Sequence, residues 1–187
     1  DAIKYSKAPV IASHSSVAAL CDHPRNMDDE QLIALKANGG VMQTVAFNPY
    51  VKKVSEAKSA ATDSLRQAFG ITGFQAFRDM TDEQRAAYDE GMATINKEWP
   101  RANVKDFVDH IDYAVKLIGI DHVGISSDFD GGGGIDGWNN AAETFNVTLE
   151  LVRRGYTEEE IAQMWGGNLL RVWREVDRIA ADLQKTS

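Results

Sequence analysis

Three patches of this chain carry residue types that bind metals, move protons or grip charges. The first is SHSS, Ser13–Ser16, which stops the apolar run Val10–Ala12. A neutral imidazole such as His14 is a ready zinc ligand, and a hydrogen-bonded core histidine is the plainer alternative. The second is DHPRN, which places Arg25 eleven residues after His14. A guanidinium offers a carboxylate two parallel hydrogen bonds. Its ordinary alternative is a surface ion pair with Asp22 or Asp28. The third is SDFDG, with Asp128 and Asp130. An acid there can bind a metal, hold a substrate amine or shuttle a proton. Asp130–Gly131 is turn chemistry, which leaves Asp128 as the chemical residue.

Other polar residues are weaker. Cys21 reads as a small buried thiol rather than a nucleophile. His110 should lie on a solvated helix face beside Asp109. His122 should begin a strand, remote from the strand ends where α/β sites form. The run GGGIDG, Gly132–Gly137, matches G-x-G-x-x-G, but no further strand follows it, so a dinucleotide site is not expected.

The elements that must position these residues follow from patterning. Pro9–Ser13 and Val41–Phe47 read as buried strands, joined by a helix with Asp28 as cap and Gly39 as stop. This is a parallel strand–helix–strand unit. Residues from about 51 to 103 are polar and read as a helical insertion, not a separate domain, with a capping box at Thr81–Gln84. Asn103 caps an amphipathic helix whose inner face is Val104, Phe107, Val108, Ile111, Val115 and Ile118. His122–Ser126 is a third strand. Helices are expected over Ala141–Arg154, after the TEEE box at Thr157–Glu160, and after GGN. The last should turn Leu169, Leu170, Val172, Trp173, Val176 and Ile179 inward. His14, Asn48, Tyr50 and Asp128 all follow strand ends, where parallel α/β proteins place their sites, and could face one cavity.

The chain has 187 residues, 43% hydrophobic and 26% charged, as soluble globular proteins do. Its net charge of −8 argues against a nucleic-acid partner. No run of eighteen apolar residues is present, so no membrane span is expected. A single cysteine excludes an internal disulfide and a Cys-rich zinc site.

PVIASHSSVAALCDHPRNMDD, HVGISSDFDG and GGNLLRVWREV together resemble the membrane (renal) dipeptidase family, including its bacterial members. The family pattern is an apolar strand ending in S-H-S, then R-N-x-x-D/E, then G-x-x-x-D-F-D-G, then an N-L-L-R-V helix. The resemblance implies a (β/α)8 barrel with two zinc ions that hydrolyses dipeptides, with this chain holding strands six, seven and eight. It implies that His14 is a zinc ligand, that Arg25 grips the dipeptide's carboxylate, and that Asp128 handles the amine and the proton transfers. A longer peptide would put an amide where Arg25 needs a carboxylate. The family's early H-x-D motif, bridging glutamate and further histidine ligand should precede Asp1, so this chain is expected to carry none of them. It should then be a fragment or one part of an assembled enzyme, metal-poor and inactive alone, with the N-terminal part of the barrel as its partner. The residues leave open a homodimer, the dipeptide preference, and a bacterial cytoplasmic or periplasmic location. A non-catalytic α/β module binding an anion through Arg25, or a related amidohydrolase acting on another small amide, are the alternatives.

Overall fold

Three short strands, Ile11–Ser15 (β1), Val41–Val45 (β2) and Val123–Ser126 (β3), lie in the order β1-β2-β3 with both pairings parallel. They come from a computed structural model that describes residues 2–185. β2 is buried along its whole length, as its apolar and β-branched composition requires of a central strand. β1 and β3 are the two edge strands; β1 is mostly exposed, whereas β3 is buried over Val123–Ile125.

Ten α-helices punctuate the described chain. In chain order they are Ala2–Tyr5 (α1), Asp29–Ala37 (α2), Asn48–Val51 (α3), Glu56–Ala68 (α4), Phe74–Arg78 (α5), Asp82–Glu98 (α6), Val104–Ile118 (α7), Phe145–Arg153 (α8), Glu158–Ala162 (α9) and Asn168–Lys185 (α10). Four of their starts follow the expected capping chemistry. Asp28, Thr81, Asn103 and Thr157 each close a capping box with the residue three positions on. A π-helical turn, Gln163–Gly167, leads from α9 into α10.

The chain forms two compact units, residues 1–53 with 102–187, and residues 54–101. In the first, Leu32 and Leu35 of α2 and Phe107, Val108, Ile111 and Ile118 of α7 pack with Met42, Ala46, Val123 and Ile125 of the sheet region. Trp138 is buried among Phe107, Phe129 and Trp165, with ring centroids 5.5–5.8 Å apart. Each such side chain removed from water contributes roughly 1.5–3 kcal/mol. In the second unit, α4 packs against α6, and Tyr88 takes Phe69 and Phe77 edge-on.

Several expectations need correction. β1 runs past Ser13 to Ser15, so His14 lies within the strand. His122 belongs to a 3-10 turn, Ile120–His122, and β3 starts after it. The helix expected over Ala141–Arg154 opens as a 3-10 turn, and its α-helical part is Phe145–Arg153. On α10 only Val172 of the six apolar residues is buried, while Leu170 and Trp173 are 50% and 60% exposed. Periodicity identifies the apolar side of a helix but not what covers it.

Candidate active site

A bulge in β1 aims His14. Ala12 pairs with Met42, but Ser15 pairs with Thr44, so three steps along β1 match two along β2. Strict alternation from Ala12, which packs on the core, would return His14 to that same covered side. The extra residue instead leaves both Ser13 and His14 exposed. Ser13 Oγ lies 2.9 Å from His14 Nδ1, which leaves Nε2 as the ring nitrogen available to a ligand. Nε2 is 3.7 Å from Asp128 Oδ1, beyond a hydrogen bond but within ion-pair range once the ring is protonated. β1 and β3 flank β2, so the two residues meet across the carboxyl end of the central strand.

Asp128 is held by its backbone. The strand ends at Ser126, and Asp128 adopts φ 55°, ψ 34°, the one left-handed non-glycine residue among those described. The amides of Gly131 and Gly133 both donate to its carbonyl, at 3.0 and 2.7 Å. The glycine run then closes over the side chain. A methyl group on Gly131 would sit 2.2 Å from Asp128 Oδ1, and one on Gly133 would sit 2.0 Å from the Ser127 carbonyl. The glycine run therefore lets the backbone approach its own chain rather than a phosphate. It opens into isolated bridges, Phe47 with Gly134 and Ile135 with Trp138, and not into the helix that a dinucleotide fingerprint needs. Asp130 is exposed on the 3-10 turn, as turn chemistry predicted.

Arg25 stands exposed on the loop after β1, and among the described residues its guanidinium is paired with no carboxylate. The alternative of a surface pair with Asp22 or Asp28 is therefore not what the structure forms. A bridge between Val17 and Met27 closes the loop. Its next residue, Asn26, is the fastener that sequence reasoning passed over. Asn26 Oδ1 accepts the Ser16 amide at 3.0 Å, and Nδ2 donates to the carbonyls of Cys21 and Tyr50 at 2.8 and 2.7 Å. The signal was present, since an asparagine beside an exposed arginine in a loop can bond backbone on both sides.

His110 departs most from expectation. It is buried, not solvated. Its Nδ1 accepts the Val17 amide at 3.0 Å and its Nε2 donates to the Val51 carbonyl at 2.9 Å, which requires a neutral ring. Burial lowers its pKa, against the opposing influence of the Val51 carbonyl, Asp109 and Asp106. The triplet His110-Ile111-Asp112 spells H-x-D, but it lies on a helix and Asp112 is taken by Arg154 and Tyr156 at 2.6 and 2.8 Å. Asn48, expected at the cavity, spends its Oδ1 on the Ala102 amide at 2.6 Å. Tyr50 stacks on His23, and Cys21 is a buried thiol facing the Pro49 carbonyl, its pKa raised by burial and then by Asp22. His122 Nδ1 donates to the Gly40 carbonyl at 2.8 Å, away from these residues.

The donor set bears on a metal. His14 Nε2 suits a zinc ligand, but among the described residues no group of three His, Cys, Asp or Glu side chains is arranged to hold an ion. No described helix is long and apolar enough to cross a membrane.

A parallel α/β sheet that carries a histidine, an aspartate and an arginine on the segments at its strand ends places them where proteins of this architecture bind their ligands. The family model for membrane dipeptidase (peptidase family M19) matches residues 1–187. The chain belongs to that family. It is 30% identical over 187 residues to an uncharacterized dipeptidase of Schizosaccharomyces pombe, covering 99% of this chain and 35% of that protein. It is 34% identical over 181 residues to the dipeptidase ataJ of Aspergillus terreus, covering 96% and 34%. Among solved structures, the probable dipeptidase PvdM of Pseudomonas aeruginosa is 41% identical with a TM-score of 0.72, over 94% of this chain and 47% of that one. The chain thus spans about a third of these curated relatives and half of that structure.

Proposed function

We propose that this chain is the part of a zinc-dependent dipeptidase that supplies strands six to eight of a (β/α)8 barrel. The observation that carries the reading is the meeting of His14 and Asp128 at 3.7 Å across the end of β2, in a chain of the membrane dipeptidase family. In this reading His14 holds a metal through Nε2, and further ligands come from residues outside these 187. Zinc, when bound, supplies Lewis-acid activation of a water and of the peptide carbonyl. Asp128 holds the substrate's free amine and passes protons beside the reacting bond. Arg25 takes the free carboxylate with two parallel hydrogen bonds. With both termini bound, the site admits two residues, because a third would present a neutral amide to Arg25.

The reading is tested with simple dipeptides and an enzyme that contains this chain. His14→Ala should reduce turnover by at least ~10²-fold and lower the bound zinc, as loss of a metal ligand does. Unchanged turnover would refute the ligand role. For the 187-residue chain alone, native mass spectrometry should show fewer than two zinc ions. A stable monomer with both would overturn the claim that the centre needs further residues.

A further inference from the structure

We infer that His23 is the positioning residue for Arg25, fixing the loop from which the guanidinium reaches. The inference deepens the proposed carboxylate grip and rests on that reading. His23 Nδ1 accepts the Arg25 amide at 3.1 Å, and its carbonyl accepts the Asn26 amide at 2.9 Å. One residue therefore closes the turn through Pro24 from both its side chain and its backbone. The face of the same imidazole stacks on Tyr50, with ring centroids 4.3 Å apart and planes tilted by 37°. Tyr50 is itself braced edge-on by Phe47 at 4.8 Å. Its carbonyl accepts from Asn26 Nδ2 at 2.7 Å. Residues on both sides of the Pro24–Arg25 pair are thus fastened to one residue beyond the next strand. The Arg25 amide is bound and its side chain is exposed, so the backbone at Arg25 is set while the guanidinium stays open to a ligand.

A loop already ordered in its binding geometry loses less entropy when the ligand arrives. Loosening it weakens a grip that ground state and transition state share, which raises KM and leaves kcat unchanged. Two substitutions separate the parts played by His23. His23→Asn keeps a side-chain acceptor for the amide two residues on, as in an Asx turn, and loses the ring face. His23→Phe keeps the ring face and loses the acceptor.

The experiment measures KM and kcat for a dipeptide in the enzyme that contains this chain. His23→Ala, His23→Asn and His23→Phe are each made with and without Arg25→Ala, and amide exchange at Arg25 is followed alongside. His23→Ala should raise KM about tenfold with kcat within about twofold, and Asn and Phe should each recover part of the loss. In the Arg25→Ala background, His23→Ala should add less than about twofold. The same variant should speed exchange of the Arg25 amide by at least about tenfold. An equal KM rise in both backgrounds, a matching fall in kcat, or unaltered exchange would overturn the positioning role. If Arg25→Ala alone leaves KM unchanged, the carboxylate grip fails, and amide exchange still decides whether His23 orders the loop.

Discussion

Asp128 shows how a functional side chain can depend on residues that have none. Its left-handed backbone and Gly131, packed on its carboxylate, fix where Oδ1 points, 3.7 Å from His14 Nε2. Gly131→Ala places a methyl where that oxygen lies, and the neighbour is the movable end of a side chain. The expected result is a displaced carboxylate on an intact fold: kcat/KM for a dipeptide falls by about tenfold or more, with stability lowered by at most ~1 kcal/mol. Gly133→Ala meets the fixed carbonyls of Ser127 and Asp128 instead, and should cost roughly 2–3 kcal/mol in urea unfolding. A Gly131→Ala enzyme with full activity would break the link between that glycine and the acid. His14 and Asp128 were legible as polar residues beyond apolar runs. That they could face one cavity was legible as well, but their approach to 3.7 Å was not, because it needs a bulge and a left-handed turn that neither alternation nor composition encodes. The glycine run matches G-x-G-x-x-G without being a dinucleotide site for the same reason: a sequence shows where backbone can come close, not what it comes close to.

On α10, the motif that helped to mark the family is structural. Asn168 is buried, and its Nδ2 donates to the carbonyls of Ile120 and Val123 at 2.7 and 2.8 Å. Arg171 reaches the carbonyls of Gly39 and Asp121, both at 2.8 Å. Together they tie the helix to the segments that lead into β2 and β3, at the end of the sheet opposite the candidate site. Asn168→Ala leaves two carbonyls short of a donor and should lower unfolding free energy by about 1–3 kcal/mol. Trp173→Gln, at a position 60% exposed, should change it by less than about 0.5 kcal/mol in this chain. Equal losses from both in urea titrations would mean that the whole apolar stripe is already covered. Cap chemistry placed the helix starts because a cap is a local bond between near neighbours. The buried side of α10 depends on distant chain, and so did the fate of His110, which the pattern on α7 assigned to water.

For the molecule as a whole, two strand-end segments are joined through several bonds, and one of them senses protons. Ser16 Oγ donates to Val45, Asn26 to Tyr50, and His110 bridges Val17 and Val51 from the helix beneath. The bridge works only with a neutral imidazole, since Nδ1 must accept while Nε2 donates. Burial is the largest influence on His110 and holds its pKa below the ordinary value of ~6.5. The unfolded chain therefore binds a proton at a higher pH than the folded one. Above ~6.5 both states hold a neutral ring, and the contribution of His110 to stability is fully present. As pH falls below ~6.5 the unfolded state is increasingly favoured, and the loss continues until the folded ring itself takes a proton. His110→Gln keeps an acceptor and a donor on one side chain and removes the titration. Urea midpoints measured from pH 8 to pH 5 should therefore fall more steeply for the unsubstituted protein than for this variant, with the divergence starting near pH 6.5. Parallel curves would mean that other groups carry the acid sensitivity and that His110 takes up its proton alike in the folded and unfolded states. A divergence confined to that window, together with faster exchange of the Val17 amide at low pH, would show that the root of the Arg25 loop loosens when His110 is protonated.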